Sequence, residues 1–305
     1  MCSKESHLCE ELICEHYGNL VAKVAGYLCR NGWQLLRSIA SGTKLKHDQI
    51  RKALCVLIQH KLVQFQMRKQ IIEYKADIKS IVNLIFYPRM IYTAKLLYGD
   101  IAELIVEETL FLGIGLMSEI LKRVLDRWQN STQEENKVDK VQKAFQDLVH
   151  THFLQREPEL WITDDNGDDV IPTFSSTKEN LYRIPLISEN TLKRQRSEEN
   201  EGEPQAKRQK KCGEVDDDGI YWSINIQRFE QYFRDQAIVS AATRKHGQAC
   251  GEIVRAMLRI SEVTTLSDAW KTQLVSAAEI FRALPPNYTL SAEVRKTQRE
   301  SLKKI

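Results

Sequence analysis

Apolar residues recur at helical spacing over residues 45–60 and then switch to strict alternation. Ile50, Ala53, Leu54, Leu57 and Ile58 form one helical stripe. Directly after it, Val63, Phe65 and Met67 alternate with Gln64, Gln66 and Arg68. A basic turn at Arg68, Lys69 and Gln70 leads into a second short run with Ile72 and Tyr74 on one face. A period of 3.6 giving way to a period of two with almost no linker predicts one helix feeding a hairpin. Helical patterns at residues 8–30 and 35–41 come first. Helix, helix, helix, hairpin is the order of a winged helix, a helix-turn-helix with a β-wing.

The order then repeats. A helical pattern at residues 78–97 is interrupted by Pro88. Two further helices follow within residues 98–128, one with Ala102, Ile105, Val106, Thr109 and Leu110 on its face, the other with Met117, Ile120, Leu121, Val124 and Leu125. Gly113 and Gly115 break the chain between them. A helix over residues 137–152 presents Val141, Ala144, Phe145, Leu148 and Val149, and residues 153–156 begin a strand as residues 63–66 do. The offset of roughly 90 residues predicts domain duplication rather than a short solenoid repeat. Residues 158–218 are poor in apolar side chains, so they split the second wing with a segment too polar to offset its ordering entropy. Residues 180–185 are the expected returning strand, and residues 186–218 are expected to be disordered. Helices resume at 226–243, with Phe229, Tyr232 or Phe233, Ala237 and Val239 inward, and at 249–260, with Ile253, Val254, Met257 and Leu258 inward. Residues 276–284 and 291–303 are candidate later helices. The expected division is a first winged helix (1–76), a second with a split wing (77–185), an acidic and basic linker (186–218) and an incomplete third winged helix (219–305). The fold class expected is mainly α with small β-wings, in tandem extended winged-helix domains.

Charge sharpens this picture. The chain has 305 residues, with 44 Lys+Arg against 41 Asp+Glu and a net charge of +3. Residues 158–218 hold 9 basic and 15 acidic residues, which leaves +9 on the rest, and residues 1–76 hold 12 basic and 6 acidic. A basic first domain is compatible with phosphate contact. The mean hydropathy is −0.41. No apolar run approaches the roughly 20 residues of a membrane helix, and the N-terminus lacks the apolar stretch of a signal peptide, so no membrane partner is expected. Of seven cysteines all but Cys212 lie in helical patterns, which points to reduced thiols packed as small apolar residues.

On the polar side of the third helix stand His47, Arg51 and Lys52, with Arg68 and Lys69 at the wing tip. This is where a winged helix would meet a duplex; the plainer alternative is a solvated helix face. No Asn or Arg fork is arranged to read bases, so DNA contact is expected to be mostly to phosphate and weakly sequence-specific. Lys193, Arg194 and Arg196, then Lys207, Arg208, Lys210 and Lys211, form a bipartite basic pattern of the kind an import receptor reads, or else an ordinary charge run. Cys9 with Cys14, and His150 with His152, lack the second pair that a zinc site needs. Glu107 with Glu108, and Asp216 to Asp218, have no partners for acid–base work. There is no phosphate loop and no nucleophile or metalloprotease motif. Neither a catalytic residue nor a cofactor is expected.

Several runs carry a resemblance. Asp217-Asp218-Gly219-Ile220-Tyr221-Trp222, Arg228-Phe229 and residues 233–240 are followed by Glu252-Ile253-Val254-Arg255, Met257-Leu258-Arg259 and Glu279-Ile280-Phe281-Arg282. Residues 52–57, Tyr87-Pro88-Arg89, residues 103–108 and Thr151-His152-Phe153 agree in the other half. Together they resemble the third-largest subunit of RNA polymerase III, the large winged-helix member of its initiation heterotrimer, related to the alpha chain of TFIIE. The resemblance spans nearly the whole chain. It implies a nuclear, non-catalytic subunit with four extended winged helices and a coiled coil. The partners it implies are the two other members of the heterotrimer, the clamp of the largest subunit, the initiation factor TFIIIB and promoter DNA. It further implies a part in making transfer RNA, 5S ribosomal RNA and other small RNAs, and a link to innate sensing of AT-rich DNA. After Asn287-Tyr288-Thr289-Leu290 the chain departs from the family pattern and stops, as a shortened gene reading, splice form or fragment would. A reading from a different class, a free winged-helix regulator, would require base-reading chemistry that the third helix lacks.

Overall fold

One glycine divides the first helical pattern. Gly18 has φ +85°, in the left-handed region that a side chain strains to occupy. The pattern at residues 8–30 therefore becomes two helices, α1 (Ser3–Tyr17) and α2 (Asn19–Asn31), and Arg30 reaches back to Glu10 at 2.7 Å across the hairpin they form. The computed structural model describes residues 3–68, 71–129, 137–157, 162–163, 169–170, 181–184, 220–264 and 271–284. The chain divides into two units, residues 1–226 and 227–305.

Within the first unit, α2 is followed by β1 (Gln34–Leu35), α3 (Leu36–Thr43), α4 (His47–Gln59), β2 (Val63–Arg68) and β3 (Ile71–Ala76). The stripe and alternation at residues 45–74 thus fold as α4 and the hairpin β2–β3. Strand β3 lies between β1 and β2, antiparallel to both, with Gln34 opposite Tyr74 and Val63 opposite Ala76. Ile13, Val24, Leu28, Ile39, Ile50, Leu57 and Leu62 form the buried core of this module. Each such side chain stabilises the fold by roughly 1.5–3 kcal/mol. Helix α4 is closed by Lys61 at φ +57°, with the Leu62 N–H donating to the Leu57 carbonyl at 2.8 Å. That closure turns the chain from helix into wing.

Helix α5 (Ile78–Val82), capped by the Asp77 carboxylate on the Lys79 N–H, and a 3-10 turn (Asn83–Phe86) lead to the second module. Pro88 opens α6 (Tyr87–Tyr98) rather than interrupting a longer helix, because its missing N–H is not needed in a first turn. The chain continues through α7 (Asp100–Leu112), β4 (Gly115–Leu116), α8 (Met117–Gln129), α9 (Lys137–His150) and β5 (Leu154–Arg156). Gly99 and Gly113 repeat Gly18 and Gly32 at one constant offset, all at positive φ, and His152 (φ +67°) repeats Lys61 after α9. The duplication therefore extends to the backbone of the turns.

The second wing corrects the sequence reading. Its returning strand is β8 (Tyr221–Ile224), not residues 180–185, of which Leu181 is helical and Tyr182 lies in a turn. Strand β8 pairs antiparallel with β4 (Gly115 opposite Trp222) and with β5 (Leu154 opposite Ile224). The order β4-β8-β5 repeats β1-β3-β2. A central strand has to be covered on both faces. Trp222, Ser223 and Ile224 are buried, and the Trp222 ring meets Phe145 edge-on at 5.3 Å. Residues 180–185 offer Arg183 and Pro185 instead, and a proline cannot donate to a ladder. The second winged helix therefore closes at Ile224, beyond an insertion in which β6 (Ile162–Thr163) and β7 (Asp169–Val170) form a short ribbon. The expected disorder at 186–218 lies outside the described residues.

In the second unit, α10 (Ile226–His246) and α11 (Gln248–Thr264) flank Gly247 at φ +90°, a third copy of the helix–glycine–helix element. Arg228 pairs with Glu262 between the two helices. Helix α12 (Ala277–Ala283) starts from a capping box in which the Ser276 side chain accepts the Glu279 N–H and the Glu279 carboxylate accepts the Ser276 N–H. Ile280 and Leu284 bury against Ile253 and Ala256 of α11. The candidate helix at residues 291–303 lies outside the described residues.

Candidate nucleic-acid interface

The inward stripe of α4 decides what faces outward. Ile50, Ala53, Leu54 and Leu57 are buried, so His47, Arg51, Lys52 and Cys55 are exposed on the opposite side. The Gln49 side-chain oxygen accepts the Lys46 N–H at 3.3 Å, which commits that amide to the helix start instead of a base edge. Arg51 lies near Tyr74 of β3; burial raises the Tyr74 phenol and the Arg51 charge partly offsets it. Arg51 therefore stands at the base of the wing. The wing is braced by the Gln66 amide donating to the Glu73 carboxylate at 2.9 Å. Arg68 is the last residue of β2, its backbone opposite Ile71. The Arg68 side chain and all of Lys69 lie outside the described residues, as does the whole bipartite basic pattern from Lys193 to Lys211. The structure thus brings His47, Arg51 and Lys52 together, as the helical period requires. The exposed face of α9 is mixed in sign, with Lys140 and Lys143 lying between Asp139 and Asp147.

Sequence reading missed the contact between the two modules. The Lys61 ammonium, just past α4, pairs with Glu157, just past β5, and donates to the Ser223 hydroxyl of β8 at 2.8 Å. Nearby, the Gln59 amide donates to the Leu112 carbonyl at 3.0 Å. His60 completes the seam, with its ring 4.8 Å from that of Tyr17. Its Nδ1 is buried without a hydrogen-bond partner among the described residues. Only the duplicated turns could have hinted at this seam, since the positions Lys61 and His152 end equivalent helices.

Burial pushes the His60 imidazole down from 6.5 to about 4. The folded chain therefore refuses a proton that the unfolded chain takes up as pH falls below 6.5. Stability is fully present above that pH and is lost as pH falls toward 4, by about 2 kcal/mol once partial exposure is allowed for. Urea midpoints at pH 7 and pH 4.5 should differ more for the wild type than for His60→Gln; equal differences would exclude His60 as the source.

The remaining candidates are structural. The Cys14 thiol donates to Asn19 Oδ1 at 2.9 Å, while Cys9 shares a hydrogen bond with Cys29, so Cys9 and Cys14 do not converge. Burial pushes the Cys29 thiol up to about 12, which makes it inert. Glu107 and Glu108 both accept from Arg127, at 3.1 and 2.6 Å. His152 stacks on Tyr182 at 3.9 Å rather than facing a metal. No three His, Cys, Asp or Glu side chains converge as a metal site among the described residues, and none of their helices is long and apolar enough to cross a membrane.

Two closed winged helices and the first helices of a further copy define a tandem winged-helix protein. The family described as RNA polymerase III subunit RPC82 matches residues 168–304, and the helix-turn-helix domain of that subunit matches residues 7–67. Among curated proteins, the chain is 45% identical over 307 residues to DNA-directed RNA polymerase III subunit RPC3 of Bos taurus and 43% identical to that of Homo sapiens, in each case over 96% of this chain and 58% of the relative. The same subunit of Danio rerio is 41% identical over 312 residues, again 96% of this chain and 58% of the relative. The chain thus spans little more than half the length of these relatives. It belongs to the RPC3/RPC82 family of RNA polymerase III subunits.

Proposed function

We propose that the protein acts as a non-catalytic subunit of nuclear RNA polymerase III, positioning partner subunits and DNA rather than performing chemistry. Within that enzyme it serves the initiation heterotrimer, beside the clamp of the largest subunit and TFIIIB. Its outward α4 cations, His47, Arg51 and Lys52, with Arg68 and Lys69 on the wing, contact DNA phosphates with weak sequence preference. The basic clusters at 193–196 and 207–211 serve nuclear import. A role in sensing AT-rich DNA would use the same phosphate contacts, because they read no particular base.

The observation that carries the subunit reading is an apolar face that the duplication itself singles out. On α6, Tyr92 and Leu96 are 63% and 66% exposed, one helical turn apart. At the matching offsets from the hairpin glycine, α1 has Glu11 and Glu15 and α10 has Ser240 and Arg244, all exposed. Exposed aromatic and aliphatic pairs of this kind mark protein contacts, and family membership supplies the occupant, another polymerase subunit. Affinity purification of the tagged chain from nuclear extract is expected to recover the largest polymerase III subunits, and Tyr92→Glu with Leu96→Glu to lose them at least tenfold. Recovery of DNA-bound chain without any polymerase subunit would reject the subunit reading in favour of a free regulator.

A further inference from the structure

The apolar face of the first wing runs one rung past the core. Val63 opposite Ala76 is buried, Phe65 opposite Tyr74 is half-buried, and Met67 opposite Ile72 is the last rung on that face. Met67 is 40% exposed there. Ile71, on the other face of the same tip, is 53% exposed. One rung back, the Gln66 amide donates to Glu73 at 2.9 Å, which fixes the register of the strands that hold the tip out.

Apolar side chains left in water mark a contact, and their surroundings identify what covers them. The exposed pair on α6 stands beside Lys95, whose ammonium is taken up by Asp100 at 3.2 Å and Glu103 at 2.7 Å. That face is electrically quiet, as suits a protein contact. The wing tip is the reverse. Between Met67 and Ile71 the sequence has Arg68, Lys69 and Gln70 and no acid. The next carboxylate along the chain, Glu73, already accepts from Gln66. Helix α4 of the same module turns His47, Arg51 and Lys52 outward. Apolar side chains set among cations match a surface with anionic edges and an apolar floor. The minor groove of a duplex is such a surface, because phosphates line it and its base steps open to inserted Met or Ile side chains. We propose that Met67 and Ile71 form an apolar wedge that enters the minor groove of DNA held by α4, unstacks a base step and bends the duplex. The wedge rests on the DNA contact in the proposed function and deepens it, since cations alone would hold the duplex without deforming it.

The test titrates the full chain into a short duplex that carries a fluorescent adenine analogue beside a TA step, the kind most readily unstacked. Anisotropy reads binding at several salt concentrations, and the analogue brightens when its step unstacks. In Met67→Gln with Ile71→Thr, Gln repeats the neighbouring Gln64 and Gln66 and Thr favours strands, and an unchanged urea midpoint checks the fold. The wild type is expected to bind and to brighten the analogue. The wedge variant is expected to bind about fivefold more weakly and to lose the brightening at saturation. It should keep the slope of log affinity against log salt, because no charge is removed. Arg51→Glu with Lys52→Glu should instead lower affinity and slope together. Suppose that charge variant weakens binding while the wedge variant matches the wild type in affinity and brightness. The wedge is then wrong and the contact through α4 stands. Wild-type binding without brightening rejects the wedge likewise. A wild type that fails to bind at low salt removes both readings. If the wedge variant keeps both DNA signals but no longer recovers polymerase subunits, the tip belongs to a protein partner and the proposal also falls.

Discussion

Gly113→Ala is expected to destabilise the chain by roughly 3 kcal/mol, about twice the effect of Gly32→Ala. The two glycines end equivalent helices, α7 and α2, at nearly the same φ, +74° and +71°. An alanine at either costs about 1–3 kcal/mol, because with ψ −138° at Gly32 and −70° at Gly113 neither backbone is one that a side chain takes readily. At Gly32 an added Cβ meets nothing within 4 Å. At Gly113 it would stand 2.5 Å from the Gln59 carbonyl oxygen and 2.8 Å from His60 Nδ1, both in the other module. Backbone cannot swing aside as the end of a flexible side chain can, so the modules must separate or the turn must distort. The duplication makes Gly32 an internal control, and the excess at Gly113 measures how closely the two winged helices approach. Urea unfolding with unchanged denaturant slope is the measurement. Equal losses at the two glycines would mean that the modules do not touch there in solution.

What was legible in the sequence was local. The stripe Ile50, Ala53, Leu54 and Leu57 fixes its own inward face, and the outward placement of His47, Arg51 and Lys52 follows from it with no tertiary information. The hairpin after it was readable for the same reason, since only two residues separate β2 from β3 in the chain. The second hairpin was not, because the insertion separates β5 from β8 and the four residues Tyr221–Ile224, buried on both faces and so without alternation, abut the pattern of α10. Such a short strand is identified by its partners, and those partners lie far away in the chain. Gly18 was hidden inside a continuous helical pattern, where a single glycine is tolerated and gives no signal. The seam at Lys61, Glu157 and Ser223 is built from ordinary polar residues whose separation in sequence gives no pattern to read.

Lys61→Met should destabilise the first unit by about 2–4 kcal/mol, near the lower part of the range for breaking a buried pair because Lys61 is itself partly exposed. The cost falls on what stays behind. The Glu157 side chain is 12% exposed and Ser223 is 2% exposed, and the Ser223 hydroxyl donates to the Glu157 carboxylate at 2.5 Å. Without the ammonium, that carboxylate stays in place with one neutral donor. Glu157→Gln added to Lys61→Met should therefore recover a large part of the loss, giving a coupling of at least 1 kcal/mol in the double-mutant cycle. Strict additivity would show that the pair contributes nothing in solution. The position of this pair gives it a further consequence. Lys61 lies two residues past α4 and Glu157 directly follows β5, so the ion pair sets how the two winged-helix modules stand to each other.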